Sequence, residues 1–184
     1  MRRSASLVAA LACAAALLAG CSDSPAAAPA ATADTSTRDL QIYATVIREL
    51  VTVDHTFGSG PSPFKHVWVV DAPMSGVGRP GAGESRGQAF SETFKADLSR
   101  EMTDIGPLDF VADGDEVRQM DSDPQVRDRG VIVTVGPIEK HGDKVHVGHE
   151  IWCGGTCAEW FTYVLEERDG RWVITGDTGE RAIA

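Results

Sequence analysis

Four strand-like runs crowd the last third of the chain, at residues 130–137, 143–152, 158–167 and 171–177. Asp169-Gly170 separates the last two, and this dipeptide is a hairpin signal because both central residues of the tight turn need positive φ. The links are short, so the runs predict an antiparallel meander. Alternation leaves large apolar groups on both faces of the final pair, with Trp160, Val164, Trp172 and Ile174 occurring alongside Phe161, Tyr163, Leu165 and Val173. A sheet of that kind must be covered on both sides or curl around its own contents. Helices packed in the concavity of a curled sheet satisfy the demand, and on this reading Trp172→Ala costs about 3–5 kcal/mol.

The residues ahead of the meander supply those helices. Ser36, followed three positions on by Asp39, can cap a helix in which Leu40, Tyr43, Ile47, Leu50 and Val51 recur at helical spacing. Ser91 caps a second, with Phe94, Leu98 and Met102 as its apolar stripe. Residues 65–72 predict a strand with His66, Trp68 and Val70 on one face, and 108–112 a shorter one. The Gly- and Pro-rich stretch 73–87 reads as a mobile loop, and substitutions at 74–87 are expected to cost no more than about 0.5 kcal/mol. Residues 117–120 read as a helical turn. The fold class is therefore α+β: N-terminal helices packed on a curved, mainly antiparallel sheet that ends in a four-strand meander.

Four motifs carry a resemblance. Gly136-Pro137-Ile138-Glu139, Trp152-Cys153-Gly154-Gly155-x-Cys157, Trp160-x-Thr162-Tyr163-Val164-Leu165-Glu166 and Asp169-Gly170-x-Trp172-x-x-Thr175-Gly176 together resemble a group of small bacterial lipoproteins. The likeness covers chiefly residues 130–180, with Ile42-Tyr43 a weaker echo, and it implies no activity for any residue. More loosely, the helices-first order and the Gly-x-Trp of the last strand are similar to the nuclear transport factor 2-like (NTF2-like, cystatin-like) fold, a curved sheet wrapped around a helix. Such folds host enzymes and non-enzymes alike.

The N-terminus speaks to location. Met1-Arg2-Arg3 is a positive n-region, residues 7–18 are an apolar run too short to span a bilayer comfortably, and Leu17-Leu18-Ala19-Gly20-Cys21 is the arrangement of a bacterial lipoprotein signal. Cys21 is then the lipidation site, because a thiolate takes a diacylglycerol as a stable thioether and the acyl chains bind the bilayer. Residues 1–20 are the expected signal peptide, 21–38 the lipidated N-terminus and disordered linker, and 39–184 one globular domain. The expected address is the cell envelope, on the outer face of the cytoplasmic membrane if the cell is Gram-positive. The formal net charge of −10 becomes −12 once Arg2 and Arg3 leave with the signal. Counterion release needs clustered cations, so nucleic acid is an unfit partner.

Removing the signal and lipidating Cys21 leaves Cys153 and Cys157, an even pair in an oxidising compartment, which predicts one disulfide across a short loop. Three residues intervene where catalytic dithiols have two, and the flanks are strand-like, which weighs against a redox site. His141, His146, His149 and the two cysteines give metal-ligand types close together. In a strand, however, His146 shares a face with Glu150 while His149 points the other way, so the pair His146 and His149 grips one ion only across a bulge. The expected alternative is a hydrogen-bonded, half-buried His149 with its neighbours exposed. Gly76-x-Gly78-x-x-Gly81 lacks the helix a dinucleotide fingerprint needs, and the acids at 113–116 and 121–123 do not complete a Ca²⁺ loop. Asp54-His55 with Ser59 is the one local hint of a hydrolase, without a nucleophile elbow.

These readings converge on a lipid-anchored, non-catalytic binding or interaction module. Its expected partners are the membrane, through the lipid, and either a small apolar ligand or an envelope protein; no cofactor is expected. The alternative is a metal-binding or enzymatic envelope protein working through His149, Glu150 and nearby acids.

Overall fold

The computed structural model describes residues 31–57, 62–79 and 81–184; Cys21, the signal segment and Ser59 lie outside them. Helix α1 (Ala31–Thr52) starts inside the stretch expected to be linker, so Ser36 is a residue of the helix and does not cap it. Of the predicted stripe, Tyr43, Ile47, Leu50 and Val51 are buried and Leu40 partly so, and Ile42 and Val46, outside that stripe, are buried with them. Strand β1 (Val67–Val70) follows, then the two-residue strands β2 (Met74–Ser75) and β3 (Ser85–Arg86). In α2 (Glu92–Glu101) the Ser91 Oγ accepts a hydrogen bond from the Phe94 N–H at 3.1 Å, which satisfies one of the orphan donors of the first turn. Leu98 and Met102 of its stripe are fully buried.

The chain then returns as β4 (Leu108–Val111) beside β1. β1 runs parallel to β4 and also to β7 (Val131–His141). The sheet is therefore mixed: mainly antiparallel, as expected, but with β1 parallel to both of its neighbours. The physical reason is legible in hindsight: parallel neighbours need a crossover, which α2 provides, and Val67-Trp68-Val69-Val70 is apolar without alternation because both its faces are covered. Val67 and Val69 join the main core, while Trp68 and Val70 pack on the opposite face with Val111, Val117, Val126 and Ile132. That second cluster lies under the segment holding a 3₁₀ turn (Gly114–Glu116) and the short pair β5 (Arg118–Gln119) and β6 (Gln125–Val126). The helical turn expected at 117–120 is thus a turn placed earlier and a strand. Asp113 and Glu116 set the turn by capping each other's backbone N–H groups.

The meander is complete in β7, β8 (Lys144–Gly154), β9 (Cys157–Arg168) and β10 (Arg171–Ile183), and the sheet runs in the order β10-β9-β8-β7-β1-β4. Asp169 and Gly170 take φ of 52° and 73°, the positive values the hairpin demands. Register shifts fall between Val135 and Ile138 and twice along β10, and such bulges bend a strand and increase its twist. The sheet curls, and α1 fills the hollow: its apolar face meets Val133, Val147, Ile151, Phe161 and Leu165 in one continuous core.

Two further corrections follow from packing. The described residues of the stretch 73–87 form a hairpin flap laid on the outer face of the sheet, with Val77 only 5% exposed. Val77 fits because the strands beneath it offer Gly136 and Gly148, and a Cβ on Gly148 would run into the Val77 carbonyl. Arg86 ties the flap down by pairing with Asp71 and donating to the Ala112 carbonyl at 2.7 Å. Tolerance to substitution is therefore confined to its exposed tip. Trp172 is partly buried at the rim, with the Arg38 guanidinium 5.2 Å from its ring centre, whereas Phe161 and Tyr163 occupy the interior. The expected loss for Trp172→Ala falls to about 1–2 kcal/mol on the area actually covered, which denaturant unfolding will read.

Candidate functional site

Inside the curl, α1 ends near a polar cluster. Tyr163 donates to Asp54 Oδ2 at 2.7 Å, and Arg181 Nη1 stands 2.8 Å from Glu159 Oε1, with Asp54 and Asp177 within 4 Å of its other terminal nitrogen. The guanidinium covers the Phe161 ring at 3.9 Å, a cation–π contact. Burial, assisted by Asp54, raises the Tyr163 phenol, so it stays a donor. Glu159 is raised chiefly by burial, against the lowering effect of Arg181.

His149 lies beneath this cluster and is fully buried, not half-buried as its strand position suggested. Its ring meets Phe161 edge-on at 3.9 Å and Tyr163 at 4.5 Å, and neither ring nitrogen has a hydrogen-bond partner among the described residues. Burial first, and the Arg181 charge second, push its pKa down to about 3. The imidazole is therefore neutral at any physiological pH. Glu150 is on the opposite face, raised by burial and by Glu84, with Arg118 Nη2 4.0 Å away. A joint site of His149 and Glu150 is not formed; the two-residue period of the strand separates them.

The outer face carries a groove of about 410 Å³ between the flap and strands β7–β10. Val77, Gly148 and Thr162 line it with Arg79, Glu139, His141, His146 and Glu180 among its polar groups. His141 and His146 stack at 3.9 Å with planes 15° apart, and His141 Nε2 lies 3.7 Å from Glu139 Oε2. Burial, then the neighbouring His141, lowers the His146 pKa. His146 and His149 thus fall on opposite faces, as the alternation predicts. No group of three His, Cys, Asp or Glu residues is arranged as placed to hold a metal ion among the described residues.

Just beyond the same C-terminal end of α1, Cys153 and Cys157 stand at disulfide distance, with Cα atoms 5.1 Å apart, and Thr56 Oγ1 is 3.0 Å from Cys157 Sγ. Of the hydrolase hint, Asp54 is taken by Tyr163, and the buried His55 ring contacts Phe57 and Phe64. Asp113 and Asp115 serve a turn and an ion pair with Arg118. Comparisons with protein families, curated proteins and solved structures give no match. No helix among the described residues is long and apolar enough to cross a membrane.

Sequence reasoning missed Arg181 as the partner of Asp54 and Glu159, since the bulge in β10 sets its register and leaves no local mark. It also missed Glu139, although Glu139-x-His141 is the spacing that puts two side chains on one face of a strand.

Proposed function

We propose that this is an exported, lipid-anchored, non-catalytic binding module, tethered at Cys21 and presenting the outer-face groove to its ligand. The observation that carries the reading is the filled concavity. The place where a curved-sheet protein of this kind would bind a small molecule is occupied by Ile42, Val46, Ile47 and Leu50 of its own helix. Recessed polar surface survives on the other side, under the flap. The NTF2-like comparison and the likeness to small bacterial lipoproteins belong to the same proposal, supported by the helix-filled curl and by the signal at residues 17–21. In an oxidising envelope Cys153 and Cys157 close to a disulfide and pin the β8–β9 turn.

Two measurements test this. Intact-mass analysis of the protein from its own envelope is expected to show a chain beginning at a diacylglyceryl-modified Cys21, and Cys21→Ser is expected to release the protein from membranes or block its processing; an unmodified thiol at Cys21 contradicts the anchor. Native mass spectrometry of the same material is expected to show a retained ligand that Arg79→Glu abolishes. A ligand retained equally by that variant places the binding surface elsewhere.

A further inference from the structure

We propose that a pocket between α1 and the start of α2 binds a small organic ammonium ion, with its apolar body against Tyr43, Phe90 and Phe94 and its ammonium group on the Asp39 carboxylate. The pocket lies apart from the outer-face groove, and the two share no lining residue among those described.

The pocket holds about 390 Å³ and is lined by both helices and by residues 88–90, which join the flap to α2. Its aromatic wall rests on three anchored pieces of backbone. Tyr43 is buried, and its hydroxyl donates to the Gly136 carbonyl at 3.0 Å. The Phe90 N–H donates to the Asp71 carbonyl at 2.7 Å and the Gly87 N–H to that of Pro73 at 2.8 Å, which fixes the approach to α2 beside the end of β1. Phe94 sits in the turn that Ser91 caps. Phe90 and Phe94 stack with ring centres 4.9 Å apart, and Tyr43 meets them edge-on at 5.4 and 6.1 Å. Each ring is held by its own element and by its neighbours, so the apolar surface is in place before a ligand arrives and binding orders little.

Charge decides the sign of the ligand. Among the described residues that line the pocket, Asp39 is the only charged one, with Ser36, Gln88 and Ser91 as neutral polar groups. Asp39 stands one helical turn before Tyr43, on the same face of α1. Its side chain is 33% exposed, and burial raises its carboxyl above the usual range, against the pull of Arg38. Arg38 approaches Asp39 Oδ1 at 3.3 Å while its guanidinium lies over the Trp172 ring, outside the pocket lining. Lys95 is drawn to Glu92 and Arg86 to Asp71, so neither answers Asp39. A half-buried carboxylate of this kind gains more from a bound cation than a solvated one does, because burial weakens the screening between them. The positive end of the α2 dipole, which favours an anion, is met within the helix by the Ser91 Oγ and by Glu92 in the first turn. Aromatic rings beside a carboxylate suit an organic cation, whereas a carboxylate ligand would meet Asp39 with like charge.

Three probes with one body separate charge from shape: benzylammonium, benzyl alcohol and benzoate. Each is titrated at pH 7.5 into the full chain in maltoside micelles and followed by the amide NMR shifts of Phe90 and Phe94. Benzylammonium is expected to saturate and to bind about 10-fold more tightly than benzyl alcohol, with benzoate the weakest. Asp39→Asn, a near-isosteric change at a partly exposed position, is expected to abolish the preference for the ammonium and leave the affinity for the alcohol unchanged. Phe90→Leu is expected to weaken the ammonium and the alcohol alike. Shifts that do not saturate, benzoate binding as tightly as benzylammonium, or an ammonium preference that survives Asp39→Asn overturns the proposal. Saturating shifts centred on Val77 and Gly148 place the cation in the outer-face groove and overturn it as well.

Discussion

Phe161→Ala is expected to cost about 3–5 kcal/mol, comparable to the whole stability of a marginal domain. The ring is fully buried, and three different partners lean on it: the His149 imidazole edge-on, Tyr163 at 4.8 Å, and the Arg181 guanidinium at 3.9 Å. Truncation leaves a cavity between helix and sheet and also strips the apolar floor from beneath a charge. Phe161→Leu, which keeps most of the volume, is expected to lose about 1 kcal/mol. Urea unfolding of both variants will read the difference. An alanine variant within about 1 kcal/mol of wild type would show that this residue does not close the core.

Acid is expected to destabilise the protein through His149. The unfolded imidazole takes a proton near pH 6.5, whereas the folded one resists protonation down to about 3. A base whose folded pKa is depressed contributes its full stability above the unfolded pKa, and that stability is lost as pH falls from 6.5 toward 3. The slope is at most about 1.4 kcal/mol per pH unit, and the total on the order of 4–5 kcal/mol. Arg181 faces the ring from β10, while Asp54 and Glu159 hold that charge in place, so no carboxylate is free to rescue the imidazolium. The half-buried Glu49 and the buried Glu159 have raised pKa values and act in the opposite direction, in the more acidic part of the range. The window from pH 6.5 down to about 5 therefore belongs chiefly to His149. Unfolding midpoints at pH 7.5, 6.5, 5.5 and 5.0 should fall steadily in wild type and stay nearly level in His149→Leu. The same slope in both would assign acid sensitivity elsewhere, with His146 the next group to test.

The meander was legible in the sequence because each of its signals is local: a two-period of apolar residues, and a dipeptide whose turn demands positive φ. The apolar face of α1 and the Ser91 cap were legible for the same reason. The parallel strand β1 was not, because its pairing depends on where α2 delivers the chain, and a four-residue apolar run looks the same in either sense. The flap was misread as a free loop since its glycines mark close contact as well as mobility, and the complementary glycines at 136 and 148 lie far along the chain. His149 was placed on the right face, but its depth depended on Phe161, Tyr163 and Arg181 converging over it. Of the candidate site, the single-face placement of Glu139 and His141 was available from spacing alone, and the position of His146 opposite them required the register of β7 on β8.

Amide hydrogen exchange along α1 tests the filled concavity most directly. If the helix is the core of the curl, amides of Ile42 to Leu50 exchange only by global unfolding, as slowly as those of Val145 to Ile151 and Phe161 to Leu165. If instead the helix amides exchange orders of magnitude faster while the sheet stays protected, α1 is a lid over an internal cavity, and the binding surface is inside the curl, not on its outer face.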